Sequence, residues 1–259
     1  RHPRERRDLP PHRQPPLSAA TASPNIPKTD TGTTIMDIRL DGRAALVTGG
    51  SQGLGKGMAL RFADSGADVA ILARGADALT AAKAEIEAAG GGRVVAISCD
   101  LRDAGALKDA FAEAEAALGG VDILVNNAGT SRAGPFETIT DEDWVEDLDL
   151  KLMAAIRLCR LALPGMRQRR WGRIINVLNT GAKAPRAGGA PTAVSRAAGL
   201  ALTKVLAGDG APHNVLVNAL MVGLIKSNQW ERLHADKNPD QPIEEFMQGM
   251  SDDRNIPLG

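Results

Sequence analysis

Short apolar runs alternate with longer amphipathic stretches along most of the chain. Residues 44–47 form an unbroken apolar run, which is what a strand buried on both faces of a parallel sheet requires. Comparable runs recur at 69–72, 94–98, 121–125, 174–178 and 215–220. Helical patterns separate them. One spans 54–65 with Gly66 as its stop, a second spans 76–89 and closes in glycines, and a third covers 104–118. A long helix is predicted from the capping pair Thr140 and Asp143 to Leu163, where Pro164 is expected to end it, and another spans 192–206. This alternation predicts an α/β fold in three layers, a doubly wound parallel sheet covered on both faces.

The turn after the first run carries the first chemical signal. From Arg43 to Gly55 the chain reads RAALVTGGSQGLG, a strand, a glycine-rich turn and a helix start. Gly49, Gly53 and Gly55 let the backbone bend sharply and come close to a ligand, and the helix beginning at Leu54 offers free N–H groups and a positive dipole end to a phosphate. Ser51 is placed to cap this turn. In a chain with 28 glycines such a cluster arises easily by chance, so the second motif matters: Asn126, Asn127, Ala128 and Gly129 directly follow the run at 121–125. The spacing TGxxxGxG together with this NNAG resembles the short-chain dehydrogenase/reductase family, in particular its 3-oxoacyl-carrier-protein-reductase-like members.

Composition narrows the classes. At 259 residues and 43% hydrophobic content, one large domain is the simplest reading. Equal counts of 31 basic and 31 acidic residues give no general pull toward nucleic acid or anionic membrane, and no basic stripe with interleaved aromatics is present. No apolar stretch approaches the roughly 18–20 residues of a membrane span. Cys99 and Cys159 are far apart and outside any CxxC, so they read as small core residues in a reducing, cytoplasmic compartment, and the scattered histidines offer no metal site. Residues 1–35, rich in Pro, Arg, Ser and Thr, are expected to be a disordered tail, with Met36 the expected start of translation and 36–259 the folded domain.

The resemblance implies a Rossmann-like sheet and a nicotinamide dinucleotide. It covers 36–259 but lacks the family's last helix and strand, which leaves the sixth strand as a sheet edge; 226–250 falls where the family has a substrate lid. The cradle it implies is Gly49, Ser51, Gly53, Leu54 and Gly55, with Asp100 and Leu101 at the adenine and Asn127, Ala128 and Gly129 along the ribose and pyrophosphate. Arg74 stands where NADP-preferring members keep an arginine, which favours NADP over NAD. The catalytic set does not carry over. The chain has no tyrosine; Thr192 falls at the Tyr position, Arg196 at the Lys, Asn179 at the Ser and Lys151 at the Asn. Val222 also replaces a proline usual before the glycine at Gly223. One reading is a rebuilt site with Lys151 as proton donor, acting on a small carbonyl or alcohol. Ser131, Arg132, Lys183, Pro185, Met221 and Trp230 near the opening favour an anionic or thioester-linked substrate. The alternative is an inactive dinucleotide-binding regulatory or sensor protein, or an incomplete product that binds poorly. A homo-oligomer is expected by resemblance alone.

Overall fold

In the computed structural model, which describes residues 38–90, 92–225 and 228–252, strand β1 (Ala44–Thr48) is buried at every position in the middle of the sheet. It pairs on one side with β2 (Asp68–Ala73), which pairs with β3 (Val94–Ser98). On its other side lie β4 (Ile123–Asn126), β5 (Gly172–Asn179) and β6 (Val215–Val222). All pairings are parallel and the order is β3-β2-β1-β4-β5-β6. The chain winds outward from β1 to β3 and then returns to β4, so a crevice opens at the carboxyl ends of β1 and β4, where doubly wound sheets bind ligands.

Period-two alternation splits the strand residues between two cores. Ala45, Val47, Val69 and Ile71 face helices α1 (Gly53–Asp64) and α2 (Ala76–Ala89). Leu46, Leu72, Leu124 and Ile174 face the opposite layer, built from α3 (Ala104–Leu118) and two later helices. The predicted doubly wound sheet is therefore present. The predicted tail at 1–35 lies outside the described residues.

The long helix departs from its sequence pattern. It begins as α4 (Asp141–Leu148), with Thr140 and Asp143 forming the expected capping box. One π-type turn follows over Asp149–Met153, where Ala154 N–H donates to Asp149 C=O, and α5 (Ala154–Gln168) continues from there. Pro164 does not end α5. Pro164 and Arg160, whose carbonyl the proline leaves without an N–H partner, both lie on the exposed side, while Leu163 and Met166 hold the helix to the core. Other boundaries shift less: β4 starts at Ile123, with the Asp122 carboxylate just before it taking the Ala44 N–H at 3.3 Å, and α6 (Thr192–Gly210) runs one turn past its predicted end.

A buried amide chain ties this half together. Asn126 Nδ2 donates to Asn176 Oδ1 at 2.8 Å, Asn176 Nδ2 to Thr203 Oγ1 at 2.9 Å, and Thr203 Oγ1 to Gly199 C=O at 2.8 Å, linking β4, β5 and α6. Cys99 and Cys159 are buried free thiols, as expected, and burial pushes Cys159 up to about 11. Among the described residues β6 pairs with β5 alone; Val215 and Val217 are buried, but Leu216 and Leu220 are 44% and 45% exposed. After it come α7 (Asn228–Lys237) and α8 (Ile243–Asp252), where the His234 and Phe246 rings lie 5.3 Å apart.

Candidate active site

The glycine turn and the NNAG segment form one unit. Thr48 Oγ1 donates to Val125 C=O at 3.2 Å and accepts from Asn127 and Ala128 N–H, each at 3.0 Å. Asn127 Nδ2 in turn donates to the carbonyls of Thr48 at 2.9 Å and Gly49 at 3.3 Å. The glycines are demanded by space and by backbone angle. Gly49 has φ +63°, and a Cβ there would lie 3.0 Å from Ala128 Cα; a Cβ on Gly55 would collide with Gly49 C=O and sit 2.5 Å from Asn127 Nδ2. Gly53, at φ +53°, is needed for its backbone angle alone.

Ser51 lies in the turn, one residue before the helix N-cap. Gln52 is the N-cap residue, with extended backbone, and its side chain makes no capping bond to α1. The N–H groups of the first turn stand at the positive end of the helix, which suits an anion. Arg74 directly follows β2 and is exposed; its carbonyl accepts from Ser98 Oγ at 3.1 Å, which joins the ends of β2 and β3. Asp100 is gripped by Arg102 through Nε at 3.1 Å and Nη2 at 2.7 Å. That hydrogen bonding, with Arg74 as a weaker contributor, holds the Asp100 carboxyl down at about 2. Leu101 beside it is buried.

Three of the four residues proposed for chemistry, Lys151, Thr192 and Arg196, come together around two that sequence reasoning overlooked, while Asn179 ends β5. Lys151 projects from the π-type turn with its side chain fully enclosed, and Nζ donates to Asp147 Oδ1 and, at 2.7 Å, to Thr192 Oγ1. Asp147 Oδ2 accepts from Ser195 Oγ at 2.6 Å. Asp147 and Ser195 have a sequence signal after all: they stand four residues before Lys151 and three after Thr192, each on its partner's helical face.

Thr192 is fully engaged. Its Oγ1 also donates to Arg132 C=O at 2.7 Å and accepts from Arg132 N–H at 2.9 Å, pinning the segment after Gly129 to the start of α6. The Arg132 guanidinium itself is paired with Asp143 and Glu146.

Arg196 and Asn179 retain unused groups. Arg196 Nη1 donates to Val177 C=O at 2.9 Å, but its buried Nε has no partner, and neither does the buried Asn179 Oδ1. A Cβ on Gly129 would come 2.5 Å from Arg196 Nη2 and 3.4 Å from Lys151 Cγ, so Gly129 brings the NNAG segment against both cations. Two cations, the buried Lys151 and the part-buried Arg196, thus feel one carboxylate. Burial works against the Arg196 charge and lowers Lys151 from 10.5 to about 8; Asp147 opposes that fall, whereas Arg196 and Arg132 add to it.

A family model described as short chain dehydrogenase matches residues 43–238. The D-beta-hydroxybutyrate dehydrogenase of Cupriavidus necator is 38% identical over 187 residues, 72% of each chain. L-sorbose reductase from Gluconobacter frateurii, solved in complex with NADPH and L-sorbose, gives a TM-score of 0.80 at 33% identity over 84% of both chains. An NADPH-bound short chain oxidoreductase from Pseudomonas aeruginosa, described as containing an atypical catalytic center, gives 0.77 at 34% identity, covering 85% of this chain and 84% of the other.

Proposed function

The chain belongs to the short chain dehydrogenase family, and from that premise we propose that it is an NADP-preferring oxidoreductase that reduces a small carbonyl compound or oxidises the alcohol. One observation carries the reading: the Asn127 amide holds the carbonyls of Thr48 and Gly49, so the glycine turn and the NNAG segment make a single rigid floor at the switch point. The residues fit a dinucleotide. The close approach at Gly49 and Gly55 and the start of α1 suit a pyrophosphate along Gly49, Ser51, Gly53, Leu54 and Gly55. Arg74 suits a 2′-phosphate, with Asp100 and Leu101 beside the adenine and Asn127, Ala128 and Gly129 bordering the ribose. The solved sorbose reductase, an NADPH complex, supports the same preference.

Lys151, Asn179, Thr192 and Arg196 occupy the positions of the family's Asn, Ser, Tyr and Lys. When bound, NADPH supplies the hydride. The proton must come from the protein, and Lys151, brought to about 8, is its source. Thr192 Oγ1 is the outlet: with its own proton turned from the Arg132 carbonyl to the substrate oxygen, the hydroxyl releases that proton as it takes another from Nζ, leaving an alcohol and a neutral lysine. The Asn179 amide is assigned to the carbonyl oxygen, and the free N–H of Arg196 to the cofactor ribose.

The enclosure of Lys151 and the full engagement of the Thr192 hydroxyl favour a second reading, a dinucleotide-binding regulatory or sensor protein without turnover. Fluorescence titration with NADPH and NADH, followed by a panel of acidic and neutral carbonyls, separates the two. The first reading expects tighter NADPH binding with turnover, abolished in Lys151→Met and Thr192→Val; Thr192→Val interrupts the proton path while leaving the ion pair. Binding without turnover of any carbonyl selects the second, and absence of binding removes both.

A further inference from the structure

The carboxylate at the centre of this cluster has two lone-pair faces, both used, and they bind groups on different elements. Asp147 sits in the last turn of α4, Lys151 in the π-type turn that follows, and Ser195 in the first turn of α6. Oδ1 accepts from Lys151 Nζ and, at 3.3 Å, lies near Thr192 Oγ1; Oδ2 accepts from Ser195 Oγ at 2.6 Å. The Asp147 and Lys151 side chains are 2% and 0% exposed, so water does not compete for these bonds.

We infer that Asp147 is the positioning residue of this site: anchored to α6 through Ser195, its carboxylate holds the Lys151 ammonium in register with Thr192 Oγ1. The inference rests on the proposed role of Lys151 but goes beyond it. Three arguments support it. A lysine side chain has four rotatable carbons and no fixed direction of its own, so a buried one needs a partner to define where its protons point. An ammonium placed away from water is unstable as a cation unless an anion faces it. Of the charged groups around Lys151, Arg196 on α6 and Arg132 on the segment after Gly129 both disfavour its charge, and only Asp147 favours it. Ser195 adds what a lone ion pair lacks, a link that fixes the carboxylate to the helix carrying Thr192.

The test follows Lys151 directly, in protein labelled with 13C at lysine Cε, with the signal assigned by its loss in Lys151→Arg. Wild type is expected to titrate near 8, and Asp147→Asn, which keeps shape but removes charge, to titrate at lower pH. The alkaline limb of carbonyl reduction should move the same way, with the KM for NADPH unchanged. A Lys151 midpoint in Asp147→Asn equal to wild type overturns the inference. If the midpoint moves but the rate profile does not, Asp147 still positions Lys151 and it is the proton-source reading that fails. If Asp147→Asn does not fold, Asp147→Glu serves: the retained charge should keep the midpoint near wild type while the longer arm lowers kcat at least fivefold, and wild-type kcat in that variant overturns the inference.

Discussion

The proposed cofactor floor and the α4–α6 cluster lie side by side, yet they are built in opposite ways. At the floor, the surface offered to a ligand is mostly backbone, and side chains serve to hold it: Thr48 Oγ1 and Asn127 Nδ2 bond to carbonyls and amides around the ends of β1 and β4. In the cluster, side chains bind side chains, and three of them carry charge. A backbone site tolerates little change because its geometry depends on the absence of atoms. A side-chain site can be exchanged wholesale, provided that each buried charge keeps a partner.

The largest expected effect attacks that proviso. Lys151→Met leaves the Asp147 carboxylate buried with hydroxyls only, and removing one partner of such a pair costs about 3–5 kcal/mol. The shift in denaturant midpoint measures it, and adding Asp147→Leu should restore most of the loss. Proton linkage sharpens the result. Lys151 titrates at about 8 in the folded protein against 10.5 ordinarily, so between these values the unfolded chain binds the extra proton. Wild type should therefore gain stability relative to Lys151→Met as pH rises from about 8 to 10.5.

Gly55→Ala tests the floor. Its methyl group meets the backbone of Gly49 and the Asn127 amide, which predicts a loss of about 1–3 kcal/mol in thermal or denaturant unfolding, with weaker NADPH binding and the cluster's titration unaltered. The smallest effect belongs to the exposed rim. Arg74→Ala should weaken NADPH by roughly tenfold, about 1.4 kcal/mol, and leave NADH unchanged; equal losses for both dinucleotides would remove the 2′-phosphate assignment.

The same contrast explains what was legible in the chain. The floor could be read because Gly49, Gly53 and Gly55 lie within seven residues and the need for them is local, and NNAG directly follows an apolar run. The doubly wound parallel sheet followed from the strict alternation of strand and helix patterns. The cluster was read only in part: Thr192 and Ser195 bond to Asp147 across 45 and 48 residues, a distance over which periodicity says nothing. Pro164 misled for a related reason. Its cost depends on whether the freed carbonyl meets water or protein, and that is decided by the packing of α5 rather than by the proline itself.

The single wide turn at Asp149–Met153 sets how the helix before it is clocked against the helix after it. Each residue of an α-helix advances the face by about 100°. Deleting one residue within that turn would let the ladder close in the ordinary way and swing Asp147 round the helix axis, off Ser195, while α5 kept its seat on the sheet. In this protein the aim of the ammonium is thus held by a count of residues as much as by their kind, and a lost codon there would do what no exchange of side chains does.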